Sequence, residues 1–272
     1  MPARRLATLL TLLLTFVLFA HSMSGCASQP SQGPKEDAAE RKIRVVATIF
    51  PIADMARQIG GDKVAVVTLL PPGASPHTFE VTPQQMKDMG GAQVFLKVGA
   101  GLDLFADKLA AAAGPNMKKI TLVDNMKLVR SLAGAHQDGH GGYSGVNPHV
   151  WLDPILVRDE IVPVIAAAFS EVSPENAEYF AANLKKYQRE LTDLDSEIRA
   201  AAKGWKVRSF VAFHSAWEYF AERYGLRCIT VEEFPGKEPS AKWLAEVVNR
   251  ACAERAGAVM AEPQFSPQAA QM

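Results

Sequence analysis

The stretch IRVVATIFPIADMARQIGGDKVAVVTLL, residues 43–70, contains a complete strand–helix–strand unit. Its two ends, 43–49 and 64–70, are rich in valine and isoleucine, which favour strands. The segment PIADMARQIG between them has helical character and ends at Gly60-Gly61, a common way to terminate a helix. This alternation is typical of parallel strands covered by helices.

The alternation of strands and helices continues as far as residue 125 and resumes after Gly204. Further helices are predicted from Thr82-Pro83 onward and in LDLFADKLAAAAG (102–114), with strands in QVFLKVG (93–99) and ITLVDN (120–125). After Gly204 the pattern resumes in VRSFVAF (207–213), HSAWEYFAERYG (214–225), RCITVE (227–232), SAKWLAEVVNRACAERAG (240–257) and AVMAE (258–262). We therefore predict an α/β fold with two lobes of parallel sheet covered by helices.

One long helix is predicted between the two lobes. Ser173 followed by Pro174 is a typical helix start, and apolar residues recur at helical spacing as far as Ile198. Such a helix would span roughly 45 Å and would form a rigid connector. The predicted domains are an N-terminal lobe at 43–172, a linking helix at 173–204 and a C-terminal lobe at 205–272.

The N-terminus has the features of an export signal. Arg4 and Arg5 precede the apolar run Leu6–Ala20, which is too short for a comfortable membrane span. The following MSGC resembles a bacterial lipobox, which predicts a signal peptide at 1–25 and lipidation of Cys26. An ordinary signal peptide with an incidental cysteine is the alternative.

The charge and composition after the signal fit an exported protein on a tether. Residues 26–42 are mostly small and polar, which predicts a flexible tether. The chain has 29 basic and 29 acidic residues, and removing two arginines with the signal leaves a formal charge of −2. This balance argues against nucleic-acid binding. Export permits a disulfide between Cys228 and Cys252, but two free thiols are equally compatible with the sequence.

Three histidines occupy comparable places in the strand–helix pattern. His77 lies in the loop after strand 64–70, His214 directly follows strand 207–213, and His149 precedes WLDP after a glycine-rich loop. Ligands of open α/β sheets bind outside the carboxyl ends of strands, and imidazole is a good ligand for zinc. The wide separation of the three excludes a local metal knuckle and suits ligands contributed by two lobes.

Several long stretches carry a resemblance to a known family. They are ATIFPIADMARQIGGDKV, LLPPGASPHTFEVTP, NPHVWLDP, VAFHSAWEYFAERYGL and EPSAKWLAEVV. In these the chain resembles the solute-binding lipoproteins of bacterial ABC importers for zinc and manganese. The resemblance implies two lobes that clamp a metal, with His77 and His149 from the first lobe and His214 from the second. It further implies a monomer that delivers the ion to a membrane permease and is lipid-anchored or periplasmic.

The resemblance leaves the fourth ligand open. The family's usual aspartate, in a later strand of the second lobe, has no counterpart here, and we expect the second lobe to be incomplete at the C-terminus. Pro76 cannot replace the glutamate that some zinc-binding relatives carry before the first histidine. A water molecule or a nearby carboxylate would otherwise complete the shell, and the candidates are Glu232, Glu233 and Glu262.

The histidine set favours zinc over manganese, since manganese prefers oxygen ligands. His136 and His140 are either an auxiliary metal-collecting loop or part of a plain glycine-rich connector. A zinc-dependent hydrolase with a three-histidine site is an alternative, but no HExxH or other general-base motif supports it. A surface adhesin on the same scaffold is another. The sequence therefore predicts a metal-binding transport component and no enzyme.

Overall fold

The computed structural model describes residues 42–77, 79–112, 115–129, 145–232 and 238–262. Several predicted features lie outside the described residues. They are the signal peptide, Cys26, the tether as far as residue 41, His136, His140 and Glu233. In the described ranges no helix has both the length and the apolar character required to span a bilayer.

The first lobe is built on a four-stranded parallel sheet. Its strands are β1 (Ile43–Ala47), β2 (Val64–Thr68), β3 (Val94–Lys97) and β4 (Lys118–Thr121), in the order β2-β1-β3-β4. The helices between them are α1 (Phe50–Gly60), α2 (Pro83–Asp88) and α3 (Phe105–Ala112). The predicted strand–helix alternation is confirmed here, and β4 begins two residues earlier than the sequence suggested.

Local sequence signals set the bounds of these helices. α1 buries Ile52, Ala56 and Ile59 along one face and is followed by the capping residue Gly61, whose φ of 53° favours glycine. α2 begins with a capping box, in which the Thr82 side chain accepts from the backbone N–H of Gln85.

The region after His149 is helical, although the sequence pattern did not assign a helix there. A 3₁₀ turn at Val150–Leu152 leads into a helical turn at Pro154–Leu156, a π-helical stretch at Val157–Ile161 and α4 (Val162–Val172). Pro163 has no N–H to bond the carbonyl four residues earlier, so the regular α-helical hydrogen bonding is interrupted next to the π-helical stretch. The sequence of α4 is apolar on nearly every side, so it shows little periodicity, although in the structure the helix buries one face, including Ile165 and Phe169, and exposes Val164 on the other.

The long helix α5 comprises Ala177–Lys203, which corresponds to roughly 40 Å. Its start differs from the prediction: a 3₁₀ turn at Pro174–Asn176 precedes it, and Ser173 does not cap the helix with its side chain. The Ser173 hydroxyl instead bonds Glu175 and accepts from Asn176, which are neighbours in that turn.

α5 contacts one helix from each of the two lobes, α4 and the helix Glu218–Tyr224. Phe180, near its beginning, packs against Phe169 of α4 with 5.6 Å between ring centroids. Near its end, the Arg199 guanidinium lies over the Tyr224 ring at 5.7 Å. Its role as a rigid connector remains a prediction.

The second lobe has a three-stranded parallel sheet. Its strands are β5 (Ser209–Ala212), β6 (Arg227–Thr230) and β7 (Val259–Met260), in the order β6-β5-β7, with helices α6 (Glu218–Tyr224) and α7 (Ala241–Ala253). Cys228 and Cys252 are both free thiols, the first buried and the second exposed. Together the two sheets confirm the predicted α/β class of parallel strands covered by helices.

Candidate metal centre

The fold brings the three predicted histidines together. The ring centroids of His77 and His149 are 5.7 Å apart, those of His149 and His214 are 5.1 Å apart, and those of His77 and His214 are 6.3 Å apart. One nitrogen from each ring lies within 4.8 Å of the other two. His77 follows the first sheet's β2 and His214 follows the second sheet's β5, so both sheets contribute to the cluster.

His77 lies in the loop after β2, and two local contacts hold this loop. Its backbone N–H donates to the Ser75 hydroxyl at 3.4 Å. Two residues later, the Phe79 ring meets the Phe105 ring of α3 edge-on, with 5.2 Å between centroids. The loop is thereby fastened to the helix that follows β3.

His149 is 5% exposed and is held from two sides. The Trp151 ring packs edge-on against it, with 5.1 Å between centroids. Asn147 Oδ1 lies 2.7 Å from His149 Nδ1. Because an amide oxygen only accepts, Nδ1 carries the proton and Nε2 keeps its lone pair for a metal.

His214 follows β5, and a carboxylate holds its Nδ1. Glu262 Oε1 lies 2.7 Å from that nitrogen, and Glu262 comes just after β7, the strand beside β5. A carboxylate behind a histidine is the usual partner of a zinc-bound imidazole, because it orients the ring and raises its basicity. Glu262 therefore contacts the ring nitrogen of His214 that does not face the metal position. Glu232, another of the predicted candidates, is a buried carboxylate just after the neighbouring strand β6.

The electrostatics of the cluster favour neutral rings for His77 and His149. Burial, and then His214, lower the pKa of His77 from 6.5 to about 4. Burial lowers the pKa of His149 well below its ordinary value, and His214 and His77 add to this effect. Neutral imidazole is the metal-binding form, so protons should compete little with the metal for His77 and His149 near pH 7.

The spacing of the nitrogens fits a small cation after a minor contraction. Zinc–nitrogen bonds of about 2.0–2.1 Å in a tetrahedron place the nitrogens roughly 3.4 Å apart. The rings therefore need to approach by at most about 1.4 Å, since the present separation is within 4.8 Å. Side-chain rotations of this size require no change of fold.

Asn147 and Glu262 support the histidines in ways that the local sequence pattern does not predict. Asn147 belongs to the motif NPHVW that carries His149, and the sequence presents Glu262 only as one of three candidates to complete the metal shell. A polar residue two positions before a candidate ligand is a usable signal for Asn147. No comparable signal existed for Glu262, because 48 residues separate it from His214.

Comparisons with known proteins give a consistent result. Residues 45–272 match the family model described as "ZnuA: Zinc-uptake complex component A periplasmic". The chain is 27% identical over 233 residues to the high-affinity zinc uptake system protein ZnuA of Bacillus subtilis, covering 83% of this chain and 72% of that protein. It is 31% identical over 228 residues to the zinc-binding protein AdcA of Streptococcus pyogenes serotype M3, covering 78% of this chain but only 44% of that protein. A crystal structure of ZnuA superposes with a TM-score of 0.75 at 30% identity, covering 85% of this chain and 86% of that one.

Proposed function

Because this chain belongs to the family of periplasmic zinc-uptake complex component A proteins, we propose that it captures zinc outside the cytoplasm. It then passes the ion to the permease of an ABC importer. The ion is the cargo, so it is bound and released unchanged. Manganese is the second candidate.

The convergence of three buried or half-buried imidazoles from both sheets carries this proposal. His77, His149 and His214 are the proposed ligands, and each would bind through one ring nitrogen. A shell of three nitrogens suits zinc better than manganese, which prefers oxygen. Ligands from two lobes also let a small relative movement of the lobes open the shell and release the ion.

We propose no catalytic role for this site. A zinc hydrolase needs a general base beside the metal-bound water. Glu262, the carboxylate in contact with the cluster, bonds His214 Nδ1. That position orients a ligand and leaves the carboxylate behind the ring.

Equilibrium titration tests the proposed function. The chain without substitutions, called the parent below, should bind one zinc ion. Its zinc affinity can be measured by competition with a chromogenic chelator at pH 7.5. Replacing any one of His77, His149 and His214 by alanine should weaken binding at least 100-fold. The double replacement of His136 and His140 by alanine is the matched control and should change affinity less than threefold. Loss of zinc in the control with retention in the His149→Ala variant would contradict the assignment.

A further inference from the structure

Asn147 lies between His149 and Ser215, the residue after His214, and its side chain is completely buried. Its side-chain oxygen accepts from the backbone N–H of His149 at 2.9 Å and faces His149 Nδ1 at 2.7 Å. One amide oxygen therefore fixes both the backbone and the ring of the same proposed ligand.

The nitrogen of the same amide reaches into the second lobe. Asn147 Nδ2 donates to the backbone carbonyl of Ser215 at 2.7 Å and also to the carboxylate of Glu218. Ser215 directly follows His214, and Glu218 is the first residue of α6. A single side chain thus touches His149 on one side and the neighbour of His214 on the other.

The orientation of the Asn147 amide is determined by its partners. The carbonyl of Ser215 and the carboxylate of Glu218 can only accept, whereas the backbone N–H of His149 can only donate. Exchanging the amide oxygen and nitrogen would oppose like groups at all three contacts. The arrangement therefore requires a protonated Nδ1 on His149.

A second tie crosses the same interface through the Asn147 backbone. Tyr219, the next residue of α6, has its ring buried in the core of the first lobe. Its hydroxyl donates to the Asn147 carbonyl at 2.8 Å and accepts from the Val129 N–H at 3.2 Å. This tie holds the lobes together without using the Asn147 amide, so it serves as an internal control.

We propose that Asn147 is a positioning residue that orients His149 for the metal and couples this ligand to helix α6 of the second lobe. The proposal rests on the proposed function for its metal, but its geometry is present without one. When His149 turns toward an ion, the Asn147 amide must follow, and its bonds to Ser215 and Glu218 draw α6 with it. Opening at α6 in turn loosens the hold on His149.

The tautomer of His149 in the metal-free chain tests whether Asn147 orients this ring. Nitrogen-15 NMR of histidine-labelled parent should show the proton of neutral His149 on Nδ1. Free imidazole has no such constraint, so Asn147→Ala should shift part of the population to the Nε2–H tautomer. A parent protein with the proton on Nε2 would overturn the proposal, whether or not zinc binds.

Zinc affinities of variants in the second lobe test whether Asn147 couples His149 to α6. Glu218→Leu removes an acceptor of the Asn147 amide without touching a histidine, and we expect it to weaken zinc binding about fivefold or more. Glu218→Gln retains an acceptor oxygen and should bind within twofold of the parent. Tyr219→Phe should lower stability but also bind zinc within twofold, since the amide is intact.

A double-mutant cycle completes the test. In the Asn147→Ala background, Glu218→Leu should cause no further loss of affinity, because the path between the lobes is already cut. Additive losses, parent-like binding by Glu218→Leu, or an equal loss in Tyr219→Phe would each refute the coupling. A parent that binds no zinc would refute the proposed function instead, and the tautomer measurement would still decide the positioning role.

Discussion

Lowering the pH should destabilise the metal-free chain, because His77 resists protonation in the folded state. Burial, and then His214, lower its pKa from 6.5 to about 4. Unfolding returns the ring to water and restores a pKa near 6.5, so the unfolded state takes up its proton first as the pH falls. The contribution of the neutral ring is therefore complete above pH 6.5 and is lost between pH 6.5 and 4.

The size of the effect follows from the difference of about 2.5 pH units between the two pKa values. At about 1.36 kcal/mol per unit, the loss reaches roughly 3.4 kcal/mol well below pH 4 and about 2 kcal/mol at pH 5. His149 adds a loss of the same sign, because its pKa is also lowered.

Urea unfolding in the presence of a chelator measures this loss at pH 7.5 and pH 5. The His77→Gln variant is the matched control, since glutamine is polar and does not titrate. Its free energy of unfolding should fall by about 2 kcal/mol less than that of the parent over the same interval. An equal fall in both proteins, or greater stability of the unsubstituted chain at pH 5, would show that His77 is not the source of the loss.

Three other predictions concern the supporting shell, the core and the thiols. Replacing Glu262 by glutamine should weaken zinc binding about 10-fold in a chelator competition, because the group behind His214 loses its charge; unchanged affinity would contradict this role. Phe169→Ala leaves a cavity at a fully buried position in the hydrophobic core of the first lobe. Urea unfolding should show a free energy of unfolding lower by about 3–5 kcal/mol. A loss below 1 kcal/mol would show that the core collapses around the cavity. A thiol reagent at pH 8 should label exposed Cys252 quickly and buried Cys228, whose pKa is raised to about 12, only on unfolding; equal rates would be inconsistent with the packing of β6.

The sequence predicted the elements whose signals are local. Valine-rich strands, the Thr82-Pro83 start of α2 and the Gly60-Gly61 end of α1 each depend on a few neighbouring residues. The three histidines could be found as well, because each occupies a recognisable place beside a strand or within the NPHVW motif.

The parts that sequence reasoning missed depend on contacts between distant residues. α4 is apolar all round and shows no clear period, so a pattern search passes over it. Asn147 meets Ser215 and Glu218 across 68 and 71 residues, and His214 meets Glu262 across 48. Nothing in the local sequence specifies those pairs, because the packing of the two sheets creates them.

X-ray absorption at the zinc K-edge of the chain loaded with one zinc ion measures directly which groups bind the metal. Three imidazole nitrogens are expected at about 2.0–2.1 Å from the zinc in the unsubstituted chain. The His149→Ala variant, loaded at high zinc concentration, should show two. A parent shell without three imidazoles, or an unchanged imidazole count in the variant, would contradict the claim that His77, His149 and His214 hold the ion.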